Sequence, residues 1–275
     1  MHEFENIAFL DQQKTGTTTI VKALRRLLAE REIHTDIHGP IPRGFDKDKK
    51  CFVSVRDPLS TYISLFKFGA GSRKGTLYST LRKKGLSDYY EPSLDAFERW
   101  LEFVLDPANA GNVSREYADS SQAERMGLLT FRLLYLCVPK ARTRLEELDG
   151  RNKVERVFAK RRIYSEYVRT EHLYEDLFGV LRHWESGIKL KAPLTTVEDM
   201  IDIVRTRNVS QPIEGLSAAN VSPRLLALVQ EREWLLYKTF GYDRSPSGIP
   251  TACLASAANA GVRTEQADRR SAAAS

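Results

Sequence analysis

"FLDQQKTGTTTIVKAL", residues 9–24, joins an apolar run to an amphipathic one through a lysine, a glycine and a block of threonines. The run before the loop, Ile7-Ala8-Phe9-Leu10, is short and continuously apolar, as in a parallel strand buried on both faces. Beyond the loop, Ile20, Ala23, Leu24, Leu27 and Leu28 recur at helical spacing, with Lys22, Arg25 and Arg26 on the opposite face. The stretch therefore reads as strand, tight loop and helix start. A helix start presents unpaired N–H groups and a partial positive charge, which suits an anion. Gly16 lets the backbone approach a ligand, Thr15, Thr17, Thr18 and Thr19 add hydroxyl donors, and Lys14 adds a full charge. A threonine N-cap would use one hydroxyl and would account for neither Lys14 nor Gly16. The pattern predicts a phosphate-type site.

Working outward, a second short strand is expected at 33–38, "IHTDIH", and a third at 51–55, "CFVSV". Pro58 suits the first turn of a helix running to about Phe68. The segment 69–93, rich in Gly, Ser, Lys and Tyr, reads as an exposed, mobile excursion. Helical patterns follow at 94–106, 121–138 and 139–148, then a fourth strand at 166–170 and a helix to Trp184. Two last helices are expected in 195–206 and, from a Ser-Pro start, in 222–241. Strands alternating with helices argue for an α/β fold: a parallel sheet flanked by helices, one domain over 1–244 with helical additions. From 245 to 275 large apolar residues all but vanish, and a disordered tail is expected.

The net charge of +6 makes anionic partners plausible, but basic and aromatic residues form no nucleic-acid motif, so no nucleic-acid partner is expected. The three cysteines, Cys51, Cys137 and Cys253, are too few and too far apart for a disulfide framework or a zinc site and fit a reducing compartment. No apolar run approaches membrane-span length. A cytoplasmic, soluble protein without a bound metal is the expectation.

In an open parallel sheet, ligands gather at the carboxyl ends of the strands. At the end of the third strand the sequence runs "VSVRDPLSTYISLFKFG", with Arg56 at the strand end and Ser64 eight residues on, in the following helix. An Arg fork and a Ser hydroxyl there suit a second phosphate; an Arg56–Asp57 loop pair with a surface serine is the plainer alternative.

Taken in order, "QQKTGTTTI" and "VRDPLSTYISLFKF" resemble the two signature segments of sulfotransferases that use 3′-phosphoadenosine 5′-phosphosulfate (PAPS). "EYVRTEHLYEDL" and "LLYKTFGYD" resemble later segments of the carbohydrate-type and bacterial branches, so the likeness spans about residues 4–243. The resemblance implies a P-loop-like fold in which Lys14, Gly16, Thr17 and Thr18 hold the 5′-phosphosulfate while Arg56 and Ser64 hold the 3′-phosphate. It also implies sulfuryl transfer to a hydroxyl, with 3′-phosphoadenosine 5′-phosphate (PAP) as product. Gln12-Gln13 departs from the pattern, since many relatives carry a proline before the lysine. The Arg-Lys-Gly triplet found near the C-terminus of one branch occurs here at Arg73–Gly75, too early to take that role.

In-line transfer needs a cation at the leaving oxygen and a base for the acceptor. Lys14 is the expected electrophile. The expected base is His38, then His34, with Asp36 as orienter, because period-two alternation would put all three on one strand face. The acceptor is expected to be a glycan or glycolipid, or else a small alcohol or phenol, near Tyr78, Tyr89 and Tyr90. A P-loop kinase would want its lysine after the second glycine; a non-catalytic polyanion binder would need neither His38 nor an acceptor pocket.

Overall fold

In a computed structural model the chain is described over residues 1–120, 122–146, 148–204 and 212–242. The expected tail at 245–275, Cys253 and the end of the 195–206 segment lie outside the described residues. Five strands form one sheet: β1 (His2–Phe4), β2 (Ile7–Leu10), β3 (Glu32–Thr35), β4 (Lys50–Val55) and β5 (Glu166–Arg169), in the order β3-β1-β2-β4-β5. β2, β4 and β5 are parallel, as expected; β1 is antiparallel to both β2 and β3. The sheet is therefore mixed. β1 escaped the sequence reading because His2 and Glu3 look solvated, whereas Glu3 is buried against the Lys49 amine at 2.5 Å.

Alternation along the strands feeds two cores. Ile7, Phe9 and Phe52 face the Thr17–Leu27 and Leu173–His183 helices; Ala8, Leu10, Cys51, Val53 and Val55 face a larger core built on the Pro58–Ser72, Leu94–Leu105, Leu128–Cys137 and Trp234–Phe240 helices. With helices on both faces, these strands have no polar side to show, hence their continuous apolar runs.

Several sequence expectations are corrected. The second strand stops at Thr35, not 38, and His38 adopts a left-handed conformation at φ 59°. The 121–138 helix is shorter, Leu128–Cys137, because 122–127 turns around Arg232, whose guanidinium binds the Met126 carbonyl at 2.7 Å. The Arg151–Arg161 helix was not foreseen: only Val154 and Phe158 of it are buried, too thin an apolar stripe to stand out. The last helix is two, Pro223–Arg232 and Trp234–Phe240, broken at buried Glu233.

The segment 69–93 is not a mobile excursion. It folds as a Thr76–Lys83 helix and a 3₁₀ turn at Ser87–Tyr90, with Leu77, Tyr78, Leu81 and Tyr90 buried. Tyr90 stacks on Phe66 at 5.7 Å between ring centroids and meets Tyr78 edge-on at 5.0 Å. Tyr78 and Tyr90 are therefore core residues, not the lining of an acceptor site. Gly69 is what lets Tyr90 in, since a Cβ there would lie 2.3 Å from its ring. Gly69→Ala is expected to cost about 1–3 kcal/mol of stability, the range for overpacking, read from the urea midpoint; an unchanged midpoint would mean the ring moves aside freely.

Candidate functional site

The carboxyl ends of β2 and β4 place the two motifs side by side. β2 ends at Leu10 and opens into the loop Asp11–Gly16, and β4 ends at Val55 and delivers Arg56. Arg56 Nη1 donates to the Lys14 carbonyl at 3.4 Å, so segments forty-two residues apart meet at one sheet edge. Lys14 and Gly16 both have positive φ, 64° and 85°, which folds the loop tightly over the start of the Thr17–Leu27 helix. Gly16 is needed twice: its φ disfavours any side chain, and a Cβ there would lie 2.5 Å from Leu173 Cδ1.

Gly16 is the N-cap of that helix and no side chain caps it. No threonine side chain caps the helix, and while the Thr19 N–H donates to the Gly16 carbonyl at 3.0 Å, the N–H groups of Thr17 and Thr18 precede the first intrahelical bonds. Their roles divide. Thr15 is 1% exposed, and its hydroxyl donates to the Gln12 carbonyl at 2.7 Å and meets Ser54 Oγ at 2.5 Å. It pins the loop to β4, so the Thr15 hydroxyl is spent on protein contacts and is not the free donor that was expected. Thr17 also reaches Gln12 O, at 3.3 Å, from a half-buried position; Thr18 is exposed and Thr19 half-buried.

The Lys14 amine lies 4.0 Å from the centroid of Phe68. Burial, and then the neighbouring charge of Arg56, lower its pKa from 10.5. Ser64 is half-buried one helical turn before Phe68, on the same stripe of the Pro58–Ser72 helix. Asp57 does not pair with Arg56: its carboxylate caps that helix through Ser60 N at 2.7 Å, and its own N–H donates to Glu171 at 2.9 Å. Among the described residues neither Lys14 nor Arg56 has an ion-pair partner. Two uncompensated cations beside a helix start make a strongly electropositive spot.

His38 comes to the same edge by an unexpected route. Its Nδ1 lies 2.8 Å from the Asp11 carbonyl and 3.0 Å from Asp11 Oδ2. A carbonyl oxygen only accepts, so Nδ1 carries the hydrogen and the neutral ring keeps its lone pair on Nε2. The His38 side chain is 30% exposed. The carboxylate that contacts His38 is Asp11, not Asp36, which is exposed on the turn that follows β3. Burial would raise the Asp11 carboxyl, but hydrogen bonds and charge from His38 and the Met1 amino group outweigh it and hold its pKa below 3.8. Asp11 was missed because an aspartate after a strand is unremarkable until something buries it. His34 is not at the site: it lies opposite Glu3, level with Ala8 in the middle of β2, and is exposed.

The loop is also tied to the Leu128–Cys137 helix, which sequence reading did not connect with it. Gln12 Nε2 donates to Leu129 O at 3.2 Å, and Gln13 Oε1 accepts from Arg132 Nη1 at 2.7 Å. A broad surface depression lined by Arg151, Glu155, Trp234 and Lys238 is separate from the loop, and its cations are already paired with Glu231 and Glu155. Compared with protein-family models, curated proteins and solved structures, the chain matches none.

Proposed function

We propose that this chain is a PAPS-dependent sulfotransferase with a P-loop-like nucleotide site at the carboxyl edge of its sheet. The observation that carries the reading is the contact of Arg56 with the Lys14 carbonyl. It joins the two segments that resemble the family's signature into one electropositive place. In this reading Lys14, Gly16, Thr17, Thr18 and Thr19 address the 5′-phosphosulfate and Arg56 with Ser64 the 3′-phosphate. His38 Nε2 takes the proton of the acceptor hydroxyl as its oxygen bonds to sulfur, and the bond from sulfur to the 5′-phosphate oxygen breaks. Lys14 neutralises the charge left on that oxygen. The acceptor is a hydroxyl of a glycan or glycolipid, with a small alcohol or phenol as the other class. Tyr89, half-buried against Phe103, is the one tyrosine of the expected acceptor segment that the core does not absorb. The protein works in the cytoplasm. No helix among the described residues is long and apolar enough to cross a membrane.

Calorimetric titration tests the donor. PAP is expected to bind and ATP with Mg²⁺ is not; the reverse would make the chain a kinase or NTPase. Arg56→Ala is expected to weaken PAP by about 1.5–3 kcal/mol, the worth of a charge-assisted hydrogen bond. Adenosine 5′-phosphosulfate, which has no 3′-phosphate, should be affected much less, and equal losses would remove Arg56 from the 3′-phosphate. Release of PAP from PAPS is expected to continue in EDTA.

A further inference from the structure

Arg132 is the charged residue in contact with the loop that the reading above leaves without a task. It projects half-buried from the Leu128–Cys137 helix, and Nη1 reaches Gln13, the residue before Lys14. Gln13 stands where the resembling family often has a proline, which offers no side-chain acceptor, so this link belongs to the chain's own departure from the pattern. Among the described residues no carboxylate lies within ion-pair distance of Arg132. Glu233 and Glu116 are electrostatically close, but neither is within ion-pair distance: the Glu233 carboxylate is taken by Tyr62 and by the N–H groups of Leu129 and Thr130, and Glu116 accepts from Ser114 Oγ at 2.9 Å. A guanidinium presents five donors and is costly to bury without an anion. Burial indeed lowers the pKa of this one from 12.5. A group of that kind, anchored by one neutral amide beside an electropositive loop, lacks an anionic partner.

We propose that Arg132 is an oxyanion-binding residue of the site, taking a sulfate-type group that reaches the loop from the side of the Leu128–Cys137 helix. The assignment rests on the loop being an anion site. The group is either the sulfuryl end of the donor or an anionic substituent of the acceptor; both offer the same planar pair of oxygens to the guanidinium fork. Gln13 orients the fork through one nitrogen and leaves the other donors for the ligand.

The test uses the full chain with inorganic sulfate, PAPS and PAP as probes, comparing wild type with Arg132→Gln and Arg132→Lys. Sulfate is expected to raise the melting temperature of the wild type, and Arg132→Gln to bind it about tenfold or more weakly, as for one lost charge-assisted bond. Arg132→Lys should recover part of that loss. A PAPS-to-PAP affinity ratio that falls about tenfold in Arg132→Gln assigns the donor's sulfuryl group. An unchanged ratio, with sulfate binding lost from the PAP complex, assigns the acceptor side. Sulfate, PAPS and PAP all binding the folded variant as they bind wild type would overturn the proposal and leave Arg132 a structural partner of Gln13 and Glu233. Sulfate binding that depends on Arg132 in a chain indifferent to both nucleotides would keep the proposal and defeat the sulfotransferase reading. Should the variants not fold, phenylglyoxal labelling of the wild type decides: sulfate must slow modification of Arg132, and labelling at an unchanged rate overturns the proposal.

Discussion

Lys14→Ala is expected to slow release of PAP from PAPS about 10²–10³-fold, the usual cost of removing a donor aimed at developing charge. The effect on PAP affinity should be smaller, because an interaction that strengthens only as the leaving oxygen gains charge shows in the rate rather than in ground-state binding. The pH profile carries a second signature. Burial and Arg56 depress the Lys14 pKa, so its charge, and with it the rate, should be lost on the alkaline side at a pH below the ordinary lysine range. Lys14→Arg keeps a charge that does not titrate and should abolish the alkaline limb, whatever its residual rate. An alkaline limb that survives in Lys14→Arg would assign it to another group.

The largest loss of stability is expected at Glu233. Its side chain is fully buried at the break between the last two helices, where it accepts from the Tyr62 hydroxyl, from Leu129 N at 3.2 Å and from Thr130 N at 2.7 Å. Those two N–H groups are unpaired donors of a helix first turn, so a carboxylate from a distant segment acts as the cap of the Leu128–Cys137 helix. Glu233→Ala strands three buried donors at about 1–3 kcal/mol each. A loss of about 3–5 kcal/mol is expected by urea denaturation, after partial rescue by water. Burial raises the Glu233 pKa above 4.5, although the bonds from Tyr62, Thr130 and Leu129 pull it down. The folded protein therefore holds this proton more tightly than the unfolded chain. Stability from the protonated carboxyl is complete below 4.5 and is lost as pH rises through the folded value. Relative to Glu233→Gln, which does not titrate, wild type should be most favoured at acid pH and lose ground as pH rises. The opposite trend would mean the three donors hold the carboxyl ionised.

Much of the α/β frame was legible because its signals are local. The runs 7–10 and 51–55 are apolar on both faces, and a strand of that kind has to be covered by helices on both sides. The spacing of Ile20, Ala23, Leu24 and Leu27, the Pro58 start and the 94–106 pattern each mark one helix within its own residues, and the structure places helices there. The placement of Lys14, Gly16 and Arg56 just past two strand ends was also legible, since it follows from residue order along the chain. Failure came where a residue's environment is made by distant chain. Tyr78 and Tyr90 look like surface tyrosines until Gly69 admits a ring to the core.

The chemistry at the sheet edge divides along the same line. Charge, glycine and hydroxyls at residues 14–19 follow from residue type and order, which act over a few bonds. That Thr15 turns inward to Ser54, that His38 is held by Asp11 rather than Asp36, and that Arg132 reaches Gln13 are consequences of packing between segments 27 to 119 residues apart. Such contacts leave no periodic trace, because each depends on one side chain meeting one partner after the strands have taken their order. Hydrophobic patterning along the chain was enough to specify layers and strand ends. Which lone pair, which proton and which uncompensated cation lies at the loop was decided only by the tertiary fold, with β1 between β2 and β3 and the Leu128–Cys137 helix bonded to Gln12 and Gln13.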